Sequence, residues 1–403
     1  MMHLIRTLLL LGVSYVFGTH SCYAQAPALC GHPFSDDTTY SGQDYQKVLL
    51  EGEQRFQLSR EKQKYRKSEG IITIPVVVRV VYADESENVI ESRIIEQIEI
   101  LNRAFNPTSG DLLKVPHEFR NRFADMEIQF CLASLDPYGL PTTGIIRERT
   151  TMQQVGLYYQ MFVDSVGKAK SWDTQRYLNI WVANTGTSIS GYAVNILMAD
   201  SVRDGVVIHP EYFGERLSGR FASGKTLIHE IGHYLGLEHI WGVDEGCDSD
   251  DMVDDTPLQG SPSNGCPVYP QFSCGGSNMF MNYMDYSDDE CLLMFTHGQK
   301  KRVRSILDIY RTELIQSNSV CQIPTNESEN LDLYPNPTRG SLRIRSPFVY
   351  EREFTISVID CAGRIVLQEI KKKQNEGLVD LSSLETGVYF VKIDNKVYRV
   401  LKI

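Results

Sequence analysis

The sequence predicts an α/β domain followed by a small all-β sandwich. Three observations carry that expectation. Ile71–Tyr82 (IITIPVVVRVVY) is a nearly continuous run of β-branched residues, the texture of a strand buried on both faces. Ile94, Ile98, Leu101 and Phe105 recur at helical spacing, with Pro107 just beyond. Near the C-terminus the period becomes two, where Phe354, Ile356 and Val358 alternate with Thr355 and Ser357.

The remaining elements follow in order. Met1–Arg6 carries one positive charge and precedes an apolar stretch, Leu8–Phe17, too short to span a bilayer comfortably. Residues 1–24 therefore read as a signal peptide cut near Ala24, and no later segment is long enough for a membrane helix. Residues 25–70 form a polar, charge-rich leader, with Asp44–Lys67 a solvated helix or partly ordered segment. Met126–Ala133 and Tyr177–Ala183 read as further strands. Lys225–Leu237 reads as a helix ending at Gly236, and Thr296–Gln316 as a closing helix. The α/β domain is placed at 71–323, a linker at 324–330 and the β domain at 331–403, where Asp394-Asn395-Lys396 marks a hairpin turn.

Composition sets outer bounds. The chain has 403 residues, against about 100–200 per domain, so two or three units are expected. A net charge of -11 argues against nucleic acid as a partner, because phosphate binding needs a basic face. Export implies an oxidising environment in which cysteines pair. The sequence is silent on oligomeric state.

The chemistry concentrates at His229–His239, HEIGHYLGLEH. His229 and His233 are four apart, so on a helix they project from one face and can share a metal. Gly236 can adopt a backbone conformation other residues resist, so the helix can stop and bring His239 round as third ligand. Three imidazoles with one open position make a catalytic zinc site, because a structural site fills all four. Glu230 is then the expected general base towards water and general acid towards the leaving amine. A bare HExxH arises by chance on the order of once per hundred chains this long; Gly236 and His239 at fixed offsets make it specific.

HExxHxxGxxH is the signature of metzincins, and Asn282–Tyr286 (NYMDY) resembles their methionine-containing turn. With the flanking cysteines and FTHGQKKRVRSIL, residues 71–321 resemble the pappalysin family in its cytophagalysin branch. The resemblance implies a metzincin catalytic domain with a twisted sheet, an active-site helix and a zinc cleft between two subdomains. It implies an endopeptidase acting on proteins and peptides, with Met284 beneath the metal and Tyr286 helping to stabilise the reaction intermediate.

There are nine cysteines. Cys247, Cys266, Cys274 and Cys291 cluster after the zinc helix. Four cysteines allow three connectivities, and their spacing does not choose among them. A four-cysteine zinc site is weakly supported, for no close CxxC pair occurs. The family resemblance implies Cys247–Cys274 and Cys266–Cys291, each worth roughly 3 kcal/mol. Cys131, Cys321 and Cys361 stay unassigned.

Between Cys247 and Pro257, CDSDDMVDDTP packs carboxylates that repel unless solvated or bound to a cation. In the family the matching stretch binds calcium, which implies Asp251 and Thr256 as ligands and a carbonyl from Asp254. In the same branch the aspartate two residues before the last of these cysteines lines the pocket beyond the cut bond. Asp289 matches it, implying a preference for Arg or Lys there; a solvated acidic turn is the competing reading.

Cys30, in LCGHP, stands in the leader, and thiolate is a good zinc ligand. Related proenzymes carry a similar Cys-Gly pair as a switch, so the resemblance implies a latent zymogen. Basic residues from Arg60 to Lys67 offer self-cleavage sites, with Ser59–Arg60 the first expected. From Leu333, LYPNPTRG and GVYF resemble the sorting domain of type IX secretion, implying the secretion machinery as a partner. A carbohydrate-binding or adhesive sandwich is the alternative there. For the whole chain the rival is an inactive zinc-fold adhesin or binding protein, against which Glu230 speaks.

Overall fold

The structure, a computed structural model, describes residues 28–30, 42–62, 70–162, 169–187, 189–194, 202–316, 321, 332–345, 354–371, 376–393 and 396–403. The expected signal peptide and linker, and Lys64, Arg66 and Lys67, lie outside these residues. In the leader come β1 (Ala28–Cys30) and helix α1 (Gly42–Lys62). Then follow β2 (Ile72–Tyr82), α2 (Glu91–Phe105), a single turn α3 (Ser109–Leu112), β3 (Ile128–Leu132), β4 (Ile145–Arg149), β5 (Leu178–Ala183), β6 (Ile189–Ala193) and β7 (Val206–Ile208). The zinc-motif helix α4 (Lys225–Tyr234) is followed by a hairpin, β8 (Phe272–Ser273) and β9 (Gly276–Ser277), and by α5 (His297–Tyr310) and α6 (Thr312–Gln316).

β2 organises the main sheet because its run of Ile and Val is buried on both faces. One edge of β2 pairs parallel with β3 and then with β4; the other pairs parallel with β5. The order continues β5-β7-β6-β1, with β6 antiparallel to β7. The leader strand β1 lies parallel on β6, with Cys30 opposite Gly191. It thereby covers backbone donors and acceptors that an edge strand would otherwise leave open. α2 packs Ile94, Ile98, Leu101 and Phe105 into the core shared by β2, β3 and α4. Those four positions are the ones whose spacing announced the helix.

One expectation is corrected. The closing helix is two helices, because the backbone breaks at Arg311, whose buried guanidinium turns inward to Asp204 and to the Thr174 carbonyl. A buried charge needs its partner, and the helix yields to bring the two together. Ser59–Arg60, the first expected cut, lies inside α1.

C-terminal to this, β10 (Asp332–Tyr334), β11 (Ser341–Arg345) and β14 (Glu376–Asp380) form one antiparallel sheet. β13 (Ile365–Lys371), β12 (Phe354–Ile359), β15 (Gly387–Ile393) and β16 (Lys396–Lys402) form a second. Their inward residues, among them Leu342, Ile356, Val358, Val391 and Val400, make a separate apolar core. Ile356 and Val358 of the alternating run belong to that core. Among the described residues no helix is long and apolar enough to cross a membrane.

Candidate metal centre

α4 is the scaffold of the site. Its N-cap is Gly224, which has no side chain to satisfy the first amides. Asp289 supplies the missing cap from a distant turn: its Oδ2 accepts from Ser223 N (2.7 Å) and Lys225 N (3.2 Å). At the other end the helix stops after Tyr234. Gly236 takes φ 84°, and its N–H donates to the His233 carbonyl. That left-handed residue turns the chain so that His239 comes back over the helix.

The three histidines converge. Nε2 of His233 lies 3.1 Å from Nε2 of His229 and 3.1 Å from that of His239, and the third side of the triangle is 3.3 Å. For zinc at about 2.0–2.1 Å from each nitrogen, a tetrahedron has edges of roughly 3.3 Å. The donor set therefore fits zinc. Two rings are oriented from behind by main-chain carbonyls. His229 Nδ1 lies 2.8 Å from Tyr283 O, and His233 Nδ1 lies 2.8 Å from Leu237 O. A carbonyl only accepts, so in both rings Nδ1 is the donor and Nε2 keeps its lone pair for a metal. Burial pushes the His229 imidazole down to about 4, which keeps that ring neutral at ordinary pH.

His239 is held differently. Trp241 stacks on it, and Tyr286 stands edge-on to both rings. Trp241 was missed in sequence; an indole two residues past the third histidine was the only signal. The carbonyl partners of His229 and His233 had none. Met284 is fully buried below α4, and a side chain at Gly232 would run into its sulfur. Glu230 is fully buried on α4, its Cγ packed near Gly191 of β6.

Beside the histidines is a pocket lined by Phe221, Lys225, His229, Tyr286, Ser287 and Asp289. Asp289 is nearly inaccessible, and burial raises its carboxyl above the usual range. Lys225 shares the pocket wall, its ammonium donating to the Asp289 carbonyl (2.6 Å) and the Leu292 carbonyl (2.9 Å). Asp289 is thus a helix cap as well as a pocket residue, a role its sequence position did not announce. Asp288 pairs with Arg220 at 2.6 Å, and Glu290 is exposed.

In the acidic loop, Asp251 Oδ1 accepts from Val253 N (3.1 Å) and the Thr256 hydroxyl (2.7 Å). Asp251 Oδ2 is buried with no hydrogen-bond partner among the described residues. Burial holds this carboxyl well above its ordinary range. Asp254 lies in the same loop with its side chain exposed. Asp255, not singled out in sequence, caps α5 by accepting from the Thr296 hydroxyl (2.6 Å) and Gly298 N (2.8 Å).

Disulfides join Cys247 to Cys274 and Cys266 to Cys291. A third, unassigned in sequence, joins Cys131 of β3 to Cys321. Cys361 is free and exposed in the β region. The backbone of Cys30 is described, but its thiol is not.

Residues 162–308 match the family described as pregnancy-associated plasma protein-A, and residues 332–402 match a secretion system C-terminal sorting domain. A promirolysin mutant from Tannerella forsythia is 35% identical, with TM-score 0.64, over 73% of this chain and 99% of that one. The chain belongs to the pappalysin family of metzincins. Mature mirolysin from the same organism, solved in complex with a cleaved peptide, is 38% identical with TM-score 0.59, over 62% of this chain and 98% of that one. An extracellular metalloprotease of Arthroderma gypseum is 43% identical over 109 residues, 26% of this pappalysin and 37% of that protein. One from Arthroderma benhamiae is 36% identical over 143 residues, 34% and 52% respectively. The matches thus span between about a third and half the length of these fungal relatives. The fold is an α/β metzincin unit followed by an all-β region, and the sorting domain marks a secreted protein.

Proposed function

We propose that the chain is a secreted zinc metalloendopeptidase made as a latent zymogen. The observation that carries this reading is the triangle of Nε2 atoms, with Glu230 buried on the same helix. His229, His233 and His239 would hold zinc, which would supply Lewis acidity towards a water and a carbonyl. Glu230 takes the proton of the attacking water and hands it to the leaving amine. The Tyr286 hydroxyl donates towards the oxygen that gains charge in the transition state. Met284 floors the site.

Asp289 lines the pocket for the residue after the cut bond and favours Arg or Lys there. Supporting this are its place in the pocket and the ion pair that already occupies Asp288. Calcium is proposed at Asp251, Thr256 and the Asp254 carbonyl; the unpartnered buried Oδ2 of Asp251 is what a cation would satisfy. Cys30 is proposed as the zinc-binding switch of the zymogen, a reading supported by the register of β1 on β6. The division into signal peptide 1–24, pro-segment 25–70, catalytic domain 71–323, linker 324–330 and sorting domain 331–403 belongs to the same proposal. The pro-segment is proposed to be removed by a cut before a basic residue between Arg60 and Lys67, Ser59–Arg60 first among them.

The test is cleavage of an end-blocked peptide by the activated protein with and without a zinc chelator, alongside Glu230→Ala. Internal cleavage that stops with either treatment is expected, with zinc still bound in the variant by elemental analysis. Wild-type turnover in Glu230→Ala overturns the mechanism, and cleavage confined to free termini overturns the endopeptidase reading.

A further inference from the structure

Helix α5 braces the metal centre from behind with two side chains one turn apart. Gln299 and Asn282 exchange amide hydrogen bonds of 2.9 and 3.1 Å, and Asn282 Oδ1 also accepts from Met284 N at 2.9 Å. The methionine turn is thereby keyed to α5. The second arm is Arg302, whose Nε donates to the Gly236 carbonyl at 2.7 Å. Gly236 is the residue at which the chain leaves α4 to deliver His239.

The rest of that guanidinium belongs to the leader. Its two terminal nitrogens donate to Glu53 of α1, to Oε1 at 3.0 Å and Oε2 at 2.7 Å. Both partners are buried. Phe56, one turn on, is fully buried against Ile306, with the Arg302 guanidinium 5.4 Å from its ring centroid. One buried cation therefore touches the leader helix on one side and the ligand-bearing turn on the other.

We infer that Arg302 is a positioning residue of the metal centre, and that α1 controls it through Glu53. With Glu53 in place, the planar fork is fixed by two parallel charge-assisted bonds, and its Nε–H pins the Gly236 carbonyl. Without Glu53 the guanidinium is left with an uncompensated charge in a dry site. Such a group relaxes towards water rather than stay put. The Gly236 turn then loses its pin, and His239 its fixed approach. The leader acts here from behind α4, independently of any ligation by Cys30 at the open face. In its role as a zymogen device the inference rests on the reading of the leader as a removable pro-segment.

The test is hydrogen–deuterium exchange on the full chain, zinc-loaded and carrying Glu230→Ala so that it cannot process itself, with and without Glu53→Gln. The amides of residues 236–241 and of α1 should exchange about tenfold faster in the Glu53 variant, about 1.4 kcal/mol of lost protection, while β12 and β15 stay unchanged. Faster exchange in α1 with residues 236–241 unaffected overturns the coupling. No change in either segment overturns Glu53 as the anchor. Should Glu53→Gln fail to fold, Glu53→Asp gives the same comparison, since it keeps the charge but shortens the reach. These outcomes need no removal of the leader, so a failure of the zymogen reading, seen by N-terminal sequencing of the secreted protein, is distinguishable.

Discussion

The Trp241 indole lies flat on the His239 imidazole, ring centroids 4.4 Å apart and planes 8° from parallel. His229 and His233 ride on a helix and are oriented by carbonyls; His239 arrives on a turn and is held by this stack. Trp241→Ala should therefore speed zinc loss to a chelator on the order of tenfold, and Trp241→Phe much less. Stopped-flow zinc release measures it. Equal rates in Trp241→Ala and wild type would remove the stack from the support of the site.

Gly232 and Met284 make a second such pair. Alanine is the better helix former by up to about 1 kcal/mol, yet its methyl has no room above the Met284 sulfur. Overpacking of this kind costs roughly 1–3 kcal/mol, so Gly232→Ala should destabilise on balance. Denaturant unfolding is the measurement. A variant more stable than wild type would mean that the methionine turn gives way freely.

The acidic loop makes a prediction with a definite sign. The folded Asp251 carboxyl is raised above its unfolded value of about 3.9. Its stabilising contribution without calcium is therefore complete below that value and is lost as pH rises through the folded one. Calcium bound there would pair with the carboxylate and reverse the loss. The calcium-induced rise in Tm, with zinc saturating, should be small near pH 4 and grow towards neutrality. Asp251→Asn should abolish the increment; a Tm indifferent to calcium at every pH leaves only a solvated loop.

Asp289 requires two substitutions, because it caps α4 and lines the pocket. Asp289→Asn keeps an acceptor for the Ser223 and Lys225 amides and removes the charge. It should cost basic residues about 10- to 150-fold of their advantage in a peptide-library profile, with little change in Tm. Asp289→Ala should show the same loss of preference and, in addition, about 1 kcal/mol of lost capping. An unchanged preference for Arg and Lys in the Asn variant would point to a different carboxylate.

The fold was legible where local periodicity and burial agree. The β2 run and the α2 spacing needed no partner to be read, and neither did the alternation in β12. The same holds for HEIGHYLGLEH, since spacings of four and six around a helix-ending glycine bring His229, His233 and His239 to one point by backbone geometry alone. The continuous helix expected to Gln316 was wrong for a reason no local window contains. Asp204 lies about a hundred residues earlier, and its pairing with Arg311 outweighs one unbroken turn.

What the sequence by itself determined, then, is the chemistry available: three imidazoles, a carboxylate beside them, an acidic loop and a change of period that marks the β region. Only the tertiary structure decided how these groups are held. The Tyr283 and Leu237 carbonyls that set two imidazole tautomers carry no side-chain signature. The cap that Asp289 lends to α4 crosses 64 residues, and the fork from Arg302 to Glu53 crosses 249. Propensity and periodicity report what a residue does to its own few neighbours. A buried charge or an orphan amide chooses its partner by what folding brings within about 3 Å, and that choice exists only once the chain is packed.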